Sequence, residues 1–289
     1  MTQGATTMIL DRLSVLTDEV SASFTEALDW AVRKGFRHVE VRMVDGINVS
    51  NLDDEQVGRA KAEIEKRGLK VSAIASPLFK CALDPSRPVQ SGDLFGNQEE
   101  DLATHMKKLP RAIAIAKRLK TDKIRIFSFW REKEPRKYFP DIVAHLRKAA
   151  ALAEKEGILL LQENETACNG GYAEEVAEIV RQVGSPAMRV LWDPGNENYG
   201  GRSCYPEGYE KVKGLFAHVH LKDSAPGSDG KVACVPIGRG RTPLRPQIDA
   251  LERDGYRGLY TLETRYTPPG GTAMQGTEET LEGLKKLLA

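Results

Sequence analysis

The sequence predicts a (β/α)8 TIM barrel, an α/β fold, built as a single domain over residues 10–289 behind an N-terminal tail at residues 1–9. Three observations predict it. Short apolar, β-branched runs alternate with helix-length stretches along the whole chain, a rhythm that implies a parallel sheet. There are eight such runs, and eight units close on themselves in about 250 residues. The last four runs (ILLLQE, MRVLWD, LFAHVH and GLYTLE) each end on a residue type that binds divalent metals: Glu163, Asp193, His220 and Glu263. These endpoints are spaced 30, 27 and 43 residues apart, each compatible with a strand-plus-helix unit. A doubly wound open sheet is the alternative; it would gather its site at a switch point instead of around a ring.

Taken in order, the first strand falls at 12–17, RLSVLT. Ser23 opens a helix with capping-box spacing to Glu26, and Gly35 closes it as a left-handed residue. The second strand is FRHVEVRMV, 36–44, with Val39 and Val41 supplying β-branching. Asp53 starts the second helix and Gly68 ends it; LKVSAIAS, 69–76, is the third strand. From Pro77 to residue 97 runs a long loop rich in Pro, Gly, Asp and Ser, of the kind that often covers an active site. The third helix spans 98–119, with Pro110 predicting a kink or a break. KIRIFSF, 123–129, is the fourth strand, followed by a helix over 139–156 ending at Gly157. The fifth strand is 158–163 and its helix 172–183, after Gly170 and Gly171. The sixth is 188–193, cut off by DPGN. A short helix near 206–213 precedes the seventh strand, 215–221. A second long loop, 222–243, leads to a helix at 244–254, the eighth strand at 258–263 and a last helix at 277–288.

Forty-two basic against 41 acidic residues give a net charge of +1. Bulk electrostatics therefore favour neither nucleic acid nor an anionic membrane as partner. No apolar run approaches the roughly 20 residues needed to cross a bilayer. The start, MTQGATTMILDRL, lacks the basic-then-apolar pattern of a signal peptide, so the expected compartment is cytoplasmic. Cys81, Cys168, Cys204 and Cys234 are scattered, with no CxxC, and read as reduced thiols rather than a disulfide frame or a zinc site.

If the last four strands are consecutive and parallel, Glu163, Asp193, His220 and Glu263 emerge at one carboxyl rim, where α/β folds place their chemistry. Three carboxylates and an imidazole suit one divalent ion such as Mn²⁺, Mg²⁺, Co²⁺ or Zn²⁺. Without a cation they would repel. Any one acidic strand end is ordinarily a solvated residue or a salt-bridge partner, so the set carries the case. Lys80, just past the third strand, is a candidate substrate contact against the plainer reading of a solvated lysine. Arg239 and Arg241, in GRGR, fit a phosphate or carboxylate clamp, or two solvated loop arginines. Glu165 reads as a loop residue, His218 as site lining or barrel core, and Glu40 as a buried partner for a base. Trp130 and Trp192 read as core or rim packing.

The motifs QEN (162–164), WDPGN (192–196), HVHLKD (218–223) and LET (262–264), in this order and spacing, resemble the xylose-isomerase-like sugar phosphate isomerase/epimerase superfamily. TDEVS, HVEVR and ASPLFK extend the resemblance over nearly the whole chain. It implies that Glu163, Asp193, His220 and Glu263 bind one divalent metal ion, Mn²⁺ first, with Co²⁺, Mg²⁺ or Zn²⁺ as alternatives. It implies further that Glu163 and Glu263 double as acid/base groups, and that Lys222 of HVHLKD contacts a substrate oxygen or pairs with Asp223. With Asn196, Lys80 and Arg239 these residues make up the expected site for a small polyhydroxylated carbonyl substrate. Relatives are often dimers or tetramers, so the resemblance allows a homo-oligomer and leaves the oligomeric state open.

The expected function is a divalent-metal-dependent isomerase or epimerase of a small sugar or keto-sugar, working through an enediolate. The alternative is a lyase, a dehydratase of a keto-sugar or an inosose-like compound. Asn196 stands where relatives often carry a histidine and cannot shuttle protons at neutral pH, which tilts towards the lyase. The endonuclease branch of the superfamily would want a multi-zinc cluster, yet there are only five histidines, and His38, His105 and His145 fall on strand two or on helices. A barrel that binds sugar without turnover would be signalled by loss of a ligand, and all four are present.

Overall fold

Aliphatic residues on alternate positions of each strand dictate which face meets the helices. In a computed structural model, which describes residues 9–227 and 230–289, eight parallel strands result. They are β1 (Leu13–Val15), β2 (His38–Val41), β3 (Lys70–Ala75) and β4 (Lys123–Ile126). Then come β5 (Leu159–Glu163), β6 (Met188–Trp192), β7 (Phe216–Leu221) and β8 (Tyr260–Leu262). Their spatial order is β1-β8-β7-β6-β5-β4-β3-β2, and a parallel bridge between Leu16 and Glu40 brings β1 back to β2. This is the TIM barrel the alternation predicts. Of the expected tail, residues 1–8 lie outside the described residues, and Ile9 is buried in the core.

Two apolar layers hold the barrel. Val39, Val41, Ile124, Ile126, Val219 and Leu262 face outward and pack with helix residues such as Leu28, Ile115, Ile179 and Leu284. Inside, Ala73, Leu161 and Leu191 form a separate apolar floor. One period further along β5 and β6 from that floor stand Glu163 and Asp193. The interior therefore turns from apolar to ionisable towards the strands' carboxyl ends, as strand alternation requires. The pairing of β2 with β3 is irregular between Val39 and Val41, and that of β6 with β7 between Val190 and Leu191. Such irregularities re-aim side chains next to sites.

Several elements differ from expectation. Ser23 caps the helix Phe24–Arg33 through its Oγ, but the box does not close: the Ser23 amide and the Glu26 carboxylate both bind Ser21 Oγ instead. The Asp53–Gln56 box of the helix Asp54–Lys66 does close, at 2.7 and 2.9 Å. Gly35 and Gly68 follow these helices at φ +84° and +67°, which a side chain would resist. Pro110 does not break the helix Leu102–Arg118. It lies on the exposed face, where water can solvate the carbonyl that loses its intrahelical donor. The second strand is shorter than expected, and Met43–Val44 pairs with Ile47–Asn48 in a small hairpin. DPGN does not merely end β6: Asp193 caps a short helix, Pro194–Tyr199, by accepting the Asn196 amide at 2.9 Å. The last helix begins early, at Ala273, because Thr272 and Gln275 form a capping box. Among the described residues, no helix is long and apolar enough to cross a membrane.

The described residues of both long loops lie over the barrel mouth. The first is pinned by a bridge between Val89 and Glu132 and by an Arg87–Glu132 ion pair at 2.8 Å. The second carries an antiparallel hairpin, Asp223–Pro226 with Val232–Val235, in place of the expected irregular loop. Phe79 begins the descent of the first loop with φ +64°, and its amide donates to His105 Nδ1 at 3.0 Å. That bond requires a neutral imidazole, and burial holds the His105 pKa down to about 4 from 6.5. In that window the folded chain binds fewer protons than the unfolded one. The stabilisation is therefore present above pH 6.5 and lost as pH falls to 4, about 3 kcal/mol in all. Denaturant titrations should show His105→Asn, which keeps an acceptor, losing less stability than wild type between pH 7 and pH 4. Equal losses would remove His105 from the acid sensitivity.

Candidate metal centre

The site is assembled from the carboxyl ends of β5 to β8. Glu163 is the last residue of β5, Asp193 follows β6, His220 is the penultimate residue of β7, and Glu263 follows β8. One donor atom from each lies within 4.8 Å of all the others, and all four residues are buried. His220 Nδ1 faces Glu163 Oε1 at 3.6 Å and Glu263 Oε2 at 3.4 Å but makes no hydrogen bond. A buried polar atom without a partner is rare and calls for a physical explanation. A divalent cation among these donors would supply one, and the donor set, three carboxylates and an imidazole, fits it.

The other face of His220 shows why Nδ1 is free. Nε2 donates to the Glu40 carboxylate at 3.1 Å, and Glu40 also accepts from His218 Nε2 at 2.9 Å and Thr261 Oγ1 at 2.7 Å. An acceptor-only carboxylate fixes a proton on Nε2, so Nδ1 is the atom that would meet a cation; without one, Glu40, Glu163 and Glu263 hold the His220 pKa well above its ordinary value against burial. Glu40 is thus the buried partner expected from sequence, and His218 lies in the barrel interior with Nε2 on Glu40 and Thr261 and Nδ1 without a hydrogen bond. Glu40→Gln is expected to weaken Mn²⁺ binding about 10- to 100-fold, the usual cost of losing such support. Calorimetric titration with Mn²⁺ giving the wild-type affinity would exclude this role.

The protein's own cations already meet the acidic groups. Lys222 Nζ lies 2.8 Å from both Asp193 Oδ2 and Glu263 Oε2. Arg125 Nη1 lies 3.3 Å from Glu163 Oε2, and Arg42 Nη1 3.1 Å from Glu263 Oε1. Burial works to raise every carboxylate here. At Glu263 it is overridden by Lys222, His220 and Arg42, which hold the group well below its ordinary range. At Glu163, Arg125 and His220 likewise win. At Asp193 burial wins, aided by the neighbouring glutamates against Lys222, and the pKa rises to about 6.

Of the expected substrate contacts, Asn196, Lys222 and Lys80 line a cavity of about 540 Å³ together with Glu163 and Glu263. Asn196 Nδ2 is committed to Asn164 O at 2.9 Å and Glu163 Oε1 at 3.3 Å. Lys222 does not pair with Asp223, which instead accepts from the amides of Ser224, Gly238, Gly240 and Thr242. Arg239 is displaced from the cavity and pairs with Glu279 on the last helix at 2.8 Å; the amide contacts to Asp223 turn its loop away. Arg241 is exposed. Glu165 lines the cavity and reaches Lys80 Nζ at 3.4 Å. Trp192 is core, with its Nε1 on Gln247, whereas Trp130 stands beside Lys80. Sequence reasoning passed over Arg42 and Arg125. The signal was there: each shares strand parity with an inward position, and Arg125 interrupts the aliphatic run of KIRIF.

Fold and site together define a TIM barrel with a buried carboxylate–histidine cluster of metal-binding type at the carboxyl rim. Residues 28–287 match the family described as xylose isomerase-like TIM barrel, and the chain belongs to that family. No curated protein matches it. Solved structures that share the fold include the following three. The IOLI protein with a bound zinc atom is 16% identical, with a TM-score of 0.75 and coverage of 96% of this chain and 98% of that one. The probable 3-DHS dehydratase AsbF from Bacillus anthracis is 16% identical, with a TM-score of 0.71 and coverage of 94% and 98%. D-allulose 3-epimerase from Methylomonas sp. is 15% identical, with a TM-score of 0.71 and coverage of 96% and 97%.

Proposed function

We propose that this protein is a divalent-metal-dependent isomerase or epimerase acting on a small sugar or keto-sugar through an enediolate. The reading rests on one observation: Glu163, Asp193, His220 and Glu263 converge within 4.8 Å, with His220 Nδ1 unpartnered. A divalent ion held by these four residues would stabilise negative charge developing on substrate oxygens. In this reading Glu163 and Glu263 take and return a proton at the carbon beside the carbonyl. Residues 91–93 and 95 of the first loop and 232–234 of the second wall the cavity and limit access of water to it.

The lyase reading is kept because a general acid stands beside the base. Lys222 Nζ is 2.8 Å from Glu263 Oε2. Elimination needs that pair: a carboxylate to take the C–H proton and an ammonium to protonate the departing hydroxyl, which leaves as water. Asn196, hydrogen-bonded to Glu163 and Asn164, offers no second proton carrier for epimerisation.

Metal analysis of the purified protein, followed by solvent-deuterium exchange into a panel of ketoses and keto-glycosides, tests the proposal. Deuterium in recovered or isomerised substrate supports the isomerase. An unsaturated or dehydrated product supports the lyase. Bound metal with no exchange into any compound would leave a binding protein, and the enzymatic reading would fall.

A further inference from the structure

Beside the metal-type donors, the cavity is walled by cations that the reaction just described does not use. Arg125 has no exposed surface. Its Nη1 has no hydrogen-bond partner and only an ion-pair approach of 3.3 Å to Glu163. Its remaining bonds, to Ala75 O at 3.3 Å and Ser76 O at 3.5 Å, are long. Lys80 is 1% exposed, with Nζ on Asp93 O at 3.0 Å and Glu165 at 3.4 Å. The two residues converge on one pair of aromatic faces: Lys80 lies 4.4 and 4.5 Å, and Arg125 4.8 and 4.9 Å, from the rings of Phe95 and Phe127. Ring faces hold cations in place without neutralising them.

Charge balance then decides what completes the site. Glu163, Asp193 and Glu263 are already matched by Arg125, Lys222 and Arg42. Arg42 also pairs with Asp18 and Glu19, and Lys80 with Glu165, whereas Arg125, among the described residues, meets Glu163 alone; a divalent ion on Glu163 competes for that one carboxylate and leaves Arg125 short of counter-charge in a buried cavity. Uncompensated buried charge is costly, so an anionic group on the ligand would offset it. We propose that Arg125 and Lys80 recognise a carboxylate on the substrate, so that the compound turned over is a polyhydroxylated acid rather than a neutral sugar. The proposal rests on the reading that the four-residue centre holds a divalent ion. A carboxylate fits better than a phosphate dianion, because Glu165 flanks Lys80 and Arg125 offers a single unpartnered nitrogen.

The test uses the full-length protein loaded with Mn²⁺ and titrated calorimetrically with D-gluconate and D-glucitol, which differ in a carboxylate against a hydroxymethyl group. D-glucitol 6-phosphate is the third probe. Gluconate is expected to bind more tightly than glucitol by about tenfold or more, the ratio that one charge-assisted contact supports. Arg125→Gln and Lys80→Met should each lose most of that preference while still binding Mn²⁺. If Arg125→Gln fails to fold, as a thermal melt would reveal, Lys80→Met decides. Equal binding of gluconate and glucitol, or none by either, overturns the proposal, as does tighter binding of the phosphate ester. So does a preference that survives the substitutions, since the carboxylate would then sit on the metal. A wild type that binds no Mn²⁺ strikes the functional reading and this inference together. Mn²⁺ binding without anion preference strikes this inference alone.

Discussion

Glu263→Gln is expected to abolish metal-dependent turnover and to destabilise the metal-free protein. Glu263 is the most heavily shared anion of the site: it meets Lys222 at 2.8 Å and Arg42 at 3.1 Å, and faces His220 Nδ1 at 3.4 Å. An amide of the same shape keeps the packing and removes the charge. Two buried cations then lose a counter-charge, a change that typically costs about 3–5 kcal/mol when one partner of a buried pair is removed. Arg42 keeps Asp18 and Glu19, and Lys222 keeps Asp193, which places the expectation at the lower end. Loss of the proposed ligand and acid/base group together should lower turnover by at least about 100-fold. Denaturant unfolding, Mn²⁺ titration and turnover of the same variant separate these effects. Wild-type turnover would remove Glu263 from the mechanism.

Lys222→Met should produce the opposite balance between metal-free and metal-loaded protein. The Lys222 ammonium bridges Asp193 and Glu263, so it supplies positive charge where a divalent ion would supply more. Methionine fills the same volume without charge and leaves three carboxylates with one fewer cation. The metal-free variant is expected to lose about 3–5 kcal/mol. Added Mn²⁺ should then raise its melting temperature by more than it raises that of wild type, because stabilisation by a ligand grows with the logarithm of its affinity. Identical melting temperatures and identical Mn²⁺ shifts in the two proteins would show that Lys222 takes no part in the charge balance. If Lys222 also protonates the leaving hydroxyl, turnover falls even with metal bound.

The sequence by itself determined the barrel and the identity of the rim. Strand period, helix-ending glycines and the acid or imidazole closing each late strand are local properties, and parallel neighbours with a period of two can place their last inward residues at only one end. Only the tertiary structure decided what surrounds those residues. Arg125 and Arg42 come from β4 and the end of β2, far along the chain from the carboxylates they meet, and no spacing rule relates them. Glu40 reaches His220 across the bridge that closes β1 onto β2, a pairing between the ends of the sheet that no local pattern encodes. Arg239 was legible as a cation but not as one facing away, because the four amides that bind Asp223 set the course of its loop. Strand alternation tells which side chains point inward; which of them touch depends on closure of the ring and on how charges buried together find their partners.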